Sequence, residues 1–285
     1  HDALPIFNKK RLIALLTGTL LVGSLVSGCG SAGANSTSGS SSSKITVSGS
    51  TSVGPTMEIL AEDYQKENDT TTIEVQQVGS SAGITNTIDG TSQIGMSSRD
   101  LKDEEKSELK EYQIAIDGIA VITNSANKVK DLTLQQVKDI YTGKITNWKE
   151  VGGADAEIVV VSREDGSGTR DGFQEIVGFE SKDLTSNAQI SDGSGNIKTT
   201  VQGNENAIGY ISFGYLDDSI NAVKIGGVEP KEENVYNDKY PISRPFLLVT
   251  KGEASGDAKS FIDYVLSDAG QKTIEKQGFM SVNQK

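Results

Sequence analysis

The sequence predicts an α/β fold of two lobes, built on mixed sheets with flanking helices and joined by a strand-built hinge. Three observations predict it. Short β-branched runs alternate with amphipathic helical periods along most of the chain. Three of those runs end in Gly/hydroxyl turns that open a helix. The alternating body, residues 44–285, is also close to the ~250–300 residues beyond which single cores stop growing.

Lys44–Ser48 is rich in β-branched residues and reads as the first strand. A helix follows with Pro55 near its start. Met57, Leu60, Ala61 and Tyr64 fall at i, i+3, i+4 and i+7 and share one apolar face. Thr72–Val78 is the next strand, and Ser80 and Ser81 cap a helix through Ile84 and Ile88. Gln93–Met96 reads as a short strand, Lys102–Lys110 as a charged exposed helix, and Ile114–Thr123 as a longer apolar strand. The helix Thr133–Tyr141 places Leu134, Val137, Ile140 and Tyr141 together. Glu157–Ser162 is a buried strand with a turn and helix directly behind it. Ala207–Ser212 and Phe246–Val249 are further strands, and Ala258–Lys272 is the final helix. No Pro-rich linker and no short repeat divides this body, so crossing strands are expected to serve as hinges. The boundaries read as lobe 1 from 44 to 122, lobe 2 from 123 to 242, and a return segment of lobe 1 from 243 to 285.

Ahead of the body, Lys9, Lys10 and Arg11 precede an apolar run from Leu12 to Val26. About fifteen residues suits a signal-peptide core and falls short of the roughly 20 of a membrane span. The run ends in Leu25-Val26-Ser27-Gly28-Cys29, where small residues before the one Cys resemble a bacterial lipobox. That motif implies a diacylated Cys29, cleavage just before it, and a chain held on the extracytoplasmic face of the cell membrane. Residues 1–28 read as leader, with 1–8 a vector-derived remnant or a misread start. Residues 29–43 read as the lipidated Cys and a Gly/Ser tether too polar to bury a core. An uncleaved anchor with an incidental Cys is the alternative.

Composition removes many activities. With 39 acidic against 27 basic residues the net charge is −12, which opposes nucleic-acid binding. One Cys forms no intrachain disulfide and no Cys-based zinc cluster. The one His is His1, so the body has no base for a Ser-His-Asp or Cys-His hydrolase and no His metal ligand. No cofactor and no metal are expected.

The chemistry rests on three turns: Gly49-Ser50-Thr51-Ser52-Val53-Gly54-Pro55, Gly79-Ser80-Ser81-Ala82-Gly83 and Asp165-Gly166-Ser167-Gly168-Thr169-Arg170. A helix's first turn carries free N–H groups and partial positive charge, so each is a potential anion site. Gly permits close backbone approach, and hydroxyls add uncharged donors. Arg163 could add a bidentate charged contact. One such turn alone is ordinary N-capping; three in one chain favour an anion cleft. Gly79-x-Ser81-x-Gly83 also fits a nucleophile elbow, but the body offers Ser81 no His, and Ser107-x-x-Lys110 reads as exposed. A P-loop is absent, because Gly143-Lys144 is followed by Ile145. Asp165 is read either as holding Arg163 or as an ordinary turn residue.

Arg163-Glu-Asp-Gly-Ser-Gly-Thr169, Gly79-Ser-Ser-Ala-Gly83 and Ile140-Tyr-Thr-Gly-Lys-Ile-Thr-Asn-Trp148 together resemble the phosphate-binding proteins of Pst-type ABC importers. The resemblance runs from about Lys44 to Lys285. It implies a two-lobed periplasmic-binding-protein-like (type II) fold. One inorganic phosphate would be buried between the lobes and delivered, by a monomer, to an ABC permease in the membrane. Carried over by motif, Thr51, Ser52 and Ser80 would bind from one lobe, and Arg163, Ser167, Gly168 and Thr169 from the other. Asp165 would brace Arg163. Ser98 stands where better-known members carry an Asp that accepts the ligand's proton. That proton separates phosphate from sulfate, which carries none at neutral pH. Two residues could replace the acceptor. Asp117 lies in an apolar strand and is slightly favoured; Asp171 is in the first turn after Thr169. Arg99 is expected to pair with Asp100 or face solvent rather than charge the cleft. A receptor for sulfate, molybdate or another oxyanion, and a surface adhesin or sensor without transport, are the competing readings.

Overall fold

The computed structural model describes residues 43–284. The leader, Cys29 and most of the tether lie outside the described residues. The described residues form one compact unit.

The first half runs β1 (Ser43–Gly49), α1 (Gly54–Glu67), β2 (Thr71–Gln77), α2 (Ser80–Ile88), β3 (Ile94–Ser97), the short α3 (Asp103–Lys106) and the long β4 (Leu109–Asn124). The second half runs β5 (Asp131–Leu132), α4 (Leu134–Tyr141), β6 (Val159–Arg163), α5 (Gly168–Val177), β7 (Gln189–Ser191), α6 (Ser194–Gln202) and β8 (Ala207–Ser212). It continues through β9 (Ile220–Ala222), β10 (Lys224–Ile225) and α7 (Glu232–Tyr236). The chain then returns through β11 (Ser243–Lys251), α8 (Gly256–Leu266), α9 (Asp268–Lys276) and β12 (Met280–Ser281).

The main sheet has the order β2-β1-β3-β11-β4-β8-β6-β7, with β9 and β12 pairing on β4 off this path. β2, β1 and β3 are parallel, and β7, β6 and β8 are parallel. Between the two triplets lie β11 and β4, antiparallel to each other and to their outer neighbours. The order therefore has the same form from either edge. Each half repeats strand, turn, helix, strand, turn, helix, strand: β1-α1-β2-α2-β3 and β6-α5-β7-α6-β8. In parallel units of this kind the turns leaving the strands collect at the strands' carboxyl ends.

Burial follows the same division. Ile45, Val47, Met57, Leu60, Ile94, Phe246, Leu248 and Phe261 belong to one apolar cluster. Ile119 to Ile122, Val137, Tyr141, Trp148, Val161, Phe173, Ile208 and Tyr210 belong to another. In the second, Phe173 stacks on Tyr210 with centroids 4.0 Å apart, at 9°. That contact fixes Tyr210, whose hydroxyl accepts the Arg163 N–H at 3.2 Å, so the core orients the base of the Arg163 side chain.

Several elements differ from expectation. The helix expected over Lys102–Lys110 is confined to Asp103–Lys106, because Leu109 and Lys110 pair with Lys251 and Thr250 as the start of β4. The single final helix is two, divided at Ser267, whose extended backbone (ψ 164°) ends α8 and whose hydroxyl accepts the Gly270 N–H to cap α9. β7 and α6 were not anticipated: β7 is three residues with no apolar alternation to signal it.

Candidate functional site

Four helices begin at one cluster of buried hydroxyls. α1 starts just after Ser52 and Val53; α2 starts at Ser80; α5 starts at Gly168; α6 starts at Ser194. Two come from each half. Gly79 and Gly193, the residues before α2 and α6, have φ of 91° and 77°, a region that favours glycine. Ser52 Oγ lies 2.8 Å from Thr169 Oγ1 and 3.1 Å from Ser194 Oγ, across the two halves. Ser98 Oγ accepts from Ser50 Oγ at 2.9 Å and lies 3.3 Å from Ser80 Oγ, which also accepts the Ser98 N–H. Ser50 itself accepts the N–H groups of Ser52 and Val53, so its one proton goes to Ser98. Gly168 fits against this group so closely that a Cβ there would collide with Ser80 Oγ and stand 2.8 Å from Ser98 Oγ.

Two guanidinium groups border the cluster, each with a carboxylate of its own. Arg163, 1% exposed, donates through Nη1 to Ser194 Oγ and through Nη2 to Thr51 Oγ1, both at 3.1 Å. Its Nε and Nη2 each donate to Glu164 at 2.7 Å. Arg244, from β11, donates through Nη2 to Ser52 Oγ at 3.3 Å and through Nε and Nη2 to Asp117 Oδ2 at 3.2 and 2.9 Å. Its Nη1 is buried with no hydrogen-bond partner among the described residues. With both arginines internally neutralised, an anion is met chiefly by oriented N–H and O–H dipoles.

Of the residues singled out in the sequence, Thr51, Ser52, Ser80, Ser98, Arg163, Gly168 and Thr169 are brought together. Ser167 is buried beside them, its Oγ accepting the Arg170 N–H as the cap of α5. Asp117 and Asp165 need correction. Asp117 is fully buried, and both its oxygens are taken: Oδ1 accepts from Ser212 Oγ and the Phe213 N–H, Oδ2 from Arg244. Its contacts are with the protein, where it braces an arginine. Burial raises its carboxyl above the usual 3.8, while Arg244, Ser212 and the Phe213 N–H pull it back. Asp165 does not hold Arg163; its side chain is 93% exposed and pairs with Arg170. Glu164 takes that role, one residue earlier. Arg99, expected against Asp100 or in solvent, is buried, and its Nη1 does reach the Asp100 carbonyl.

Sequence reasoning missed Ser50, Ser194, Glu164 and Arg244 as members of the cluster. Gly193-Ser194-Gly195 is a fourth Gly/Ser turn opening a helix, of the same composition as the other three but without a legible strand before it. Arg244, in the strand that begins Ser243-Arg244-Pro245-Phe246, carried the same signal as Asp117: a charge inside an apolar strand.

Burial alone would raise Glu164, but the Arg163 guanidinium and the Gly193 N–H hold it below its usual 4.5. A carboxyl lowered on folding contributes stability that is present above its unfolded value and lost as pH falls through the folded one. The unfolding midpoint in urea should therefore fall as pH drops below about 4.5. Asp117, raised by burial, slopes the opposite way, so the readout is the difference from Glu164→Gln, which should lose part of the acid dependence.

Among the described residues there is no group of three or more His, Cys, Asp and Glu that could hold a metal. A family model described as a PBP superfamily domain matches residues 34–269. The phosphate-binding protein PstS of Bacillus subtilis is 38% identical over 245 residues, covering 84% of this chain and 80% of that protein. That of Borreliella burgdorferi is 30% identical, covering 84% and 90%. Among solved structures, a phosphate ABC transporter substrate-binding protein with bound phosphate from Clostridium perfringens is 63% identical. It has a TM-score of 0.83, with 84% of this chain and 99% of that one covered. An ABC-type phosphate transport receptor from Vibrio cholerae is 39% identical with a TM-score of 0.73, covering 84% and 100%. The matches extend over both halves and over all four turns of the cluster, and the chain belongs to the PBP superfamily and, within it, to the PstS phosphate-binding proteins.

Proposed function

We propose that the chain is an extracytoplasmic receptor that binds inorganic phosphate in the cleft between its halves and delivers it to an ABC import permease. The observation that carries this reading is the convergence of four helix N-termini, two from each half, on one knot of hydroxyls. Such a site surrounds a tetrahedral oxyanion with donors and needs both halves to do so. The lobes are proposed as 44–122 with 243–285, and 123–242; the two apolar clusters and the crossing of β4 and β11 support two lobes, with Ile119–Ile122 at the end of the first segment packing into the second cluster. The receptor carries out no reaction at this site: Ser81 Oγ, the one elbow-like hydroxyl, lies 3.4 Å from Arg99 Nη2 and not beside a base. Attachment through a lipid on Cys29 is supported by the lipobox-like run before it, and the protein acts as a monomer. Among the described residues no helix is long and apolar enough to cross a membrane.

The test is calorimetric titration of the full chain, stripped of phosphate, with phosphate and then sulfate. One phosphate per chain is expected, with affinity nearly unchanged by added salt, because the site's charges are already paired. Sulfate should bind more weakly, but by less than the ~10⁴-fold that a dedicated buried acceptor enforces. The hydroxyl of Ser98 accepts a proton or gives one, where a carboxylate only accepts. Silence with phosphate from folded, ligand-free protein refutes the receptor reading.

A further inference from the structure

Arg99 follows directly on Ser98, yet its guanidinium is not part of the hydroxyl cluster. It is 4% exposed. Nη1 and Nη2 make paired contacts with Glu105 at 2.7 and 2.8 Å, and Nη2 reaches Ser81 Oγ at 3.4 Å. Glu105 is itself held by the Lys102 N–H at 2.9 Å. All of these partners belong to the first half. The remaining nitrogen, Nε, lies 3.1 Å from Asp171 Oδ2, on α5 of the second half, two residues beyond Thr169. Among the described residues Nε has no aligned hydrogen-bond partner, so this contact across the cleft is one of charge with charge. Close by, the Ser81 N–H donates to the Gly166 carbonyl at 3.1 Å, a backbone bond that also joins the halves.

We infer that Arg99 and Asp171 form a latch between the halves, which holds the cleft shut and sets how fast phosphate leaves. The inference rests on the receptor reading. Arg99 is kept in place by Glu105 whether the halves are together or apart, so it is a preformed half of the pair. Asp171 reaches it only when Thr169 and Ser98 approach the same ligand. Glu105 already offsets much of the positive charge, and Asp171 is a third exposed, so the latch modulates release and does not create binding. Asp171 in a merely local role, favouring the N-terminus of α5, would alter stability and leave release untouched.

The experiment uses the full chain, stripped of phosphate, with Asp171→Asn and Asp171→Glu. Release of radiolabelled phosphate into excess unlabelled phosphate is followed together with affinity and the ligand-free melting temperature. Asp171→Asn should release phosphate about 5–20-fold faster, with association changed less than about twofold. Its ligand-free melting temperature should stay within about 2 °C of wild type. Asp171→Glu should recover part of the slow release. Release within about twofold of wild type overturns the latch, as does faster release matched by a fall in ligand-free stability. Wild-type chain that binds no phosphate overturns the receptor reading, and the latch with it.

Discussion

Asp117→Ala should cost about 3–5 kcal/mol of stability, measured by urea unfolding of the phosphate-free chain, the largest loss expected from any single substitution near the cleft. The side chains of Arg244 and Asp117 are 2% and 0% exposed, and the carboxylate accepts two of the guanidinium's bonds. Removing it leaves a positive charge in the interior. It also leaves the Ser212 hydroxyl and the Phe213 N–H without their acceptor. The control is the double variant Asp117→Leu with Arg244→Met, which removes both charges together. Much of the lost stability should return, since a buried ion pair replaced by apolar groups is often neutral or better. Phosphate affinity should not return, because Arg244 Nη2 also holds Ser52 Oγ. A single variant that loses less than about 1 kcal/mol would contradict a charged, mutually dependent pair at this position.

Gly168→Ala is expected to reduce phosphate affinity by at least about 100-fold while leaving the ligand-free chain as stable as wild type. Gly168 is the first residue of α5, where alanine favours the helix. The added methyl would instead meet Ser80 Cβ and Ser98 Oγ at 2.8 Å each, in the opposite half. A Ser hydroxyl can rotate aside, but Ser80 Cβ is fixed to α2, so the halves must stand apart. Calorimetry reads the affinity and thermal melting without phosphate reads the stability. Unchanged affinity would mean that the two halves need not come this close around the ligand. A substitution that weakens binding without touching stability separates closure from folding, which Asp117→Ala cannot do.

The alternation of strands and helices and three of the cluster's turns were legible because each had a local cause, while the two lobes were expected from chain length. β-branched runs, i/i+3/i+4 spacing and Gly/hydroxyl turns all act within ten residues of chain. What was not legible depended on pairing between distant segments. Leu109 and Lys110 look helical in a charged neighbourhood, but β11 offers them a strand partner. Asp165 and Glu164 are adjacent carboxylates, and only the folded turn decides which one reaches Arg163. Asp117 was marked by its cost in an apolar strand and read as the ligand's proton acceptor, because its partner Arg244 is 127 residues away. The fourth turn, at Ser194, was missed for a simpler reason: β7 is too short to announce the strand before it.

β4 and β11 lie side by side at the centre of the sheet, and both carry the chain from one half to the other. Sliding the halves along these strands would break the ladder between them, while bending or twisting the ribbon leaves its hydrogen bonds in place. Opening is thereby left to bending and twisting of this ribbon. The hydroxyls of Ser52, Ser80 and Ser98 move as one set, and those of Thr169 and Ser194, with Arg163, as the other. In the proposed receptor, a bound phosphate would therefore lose a whole hemisphere of its coordination in a single step.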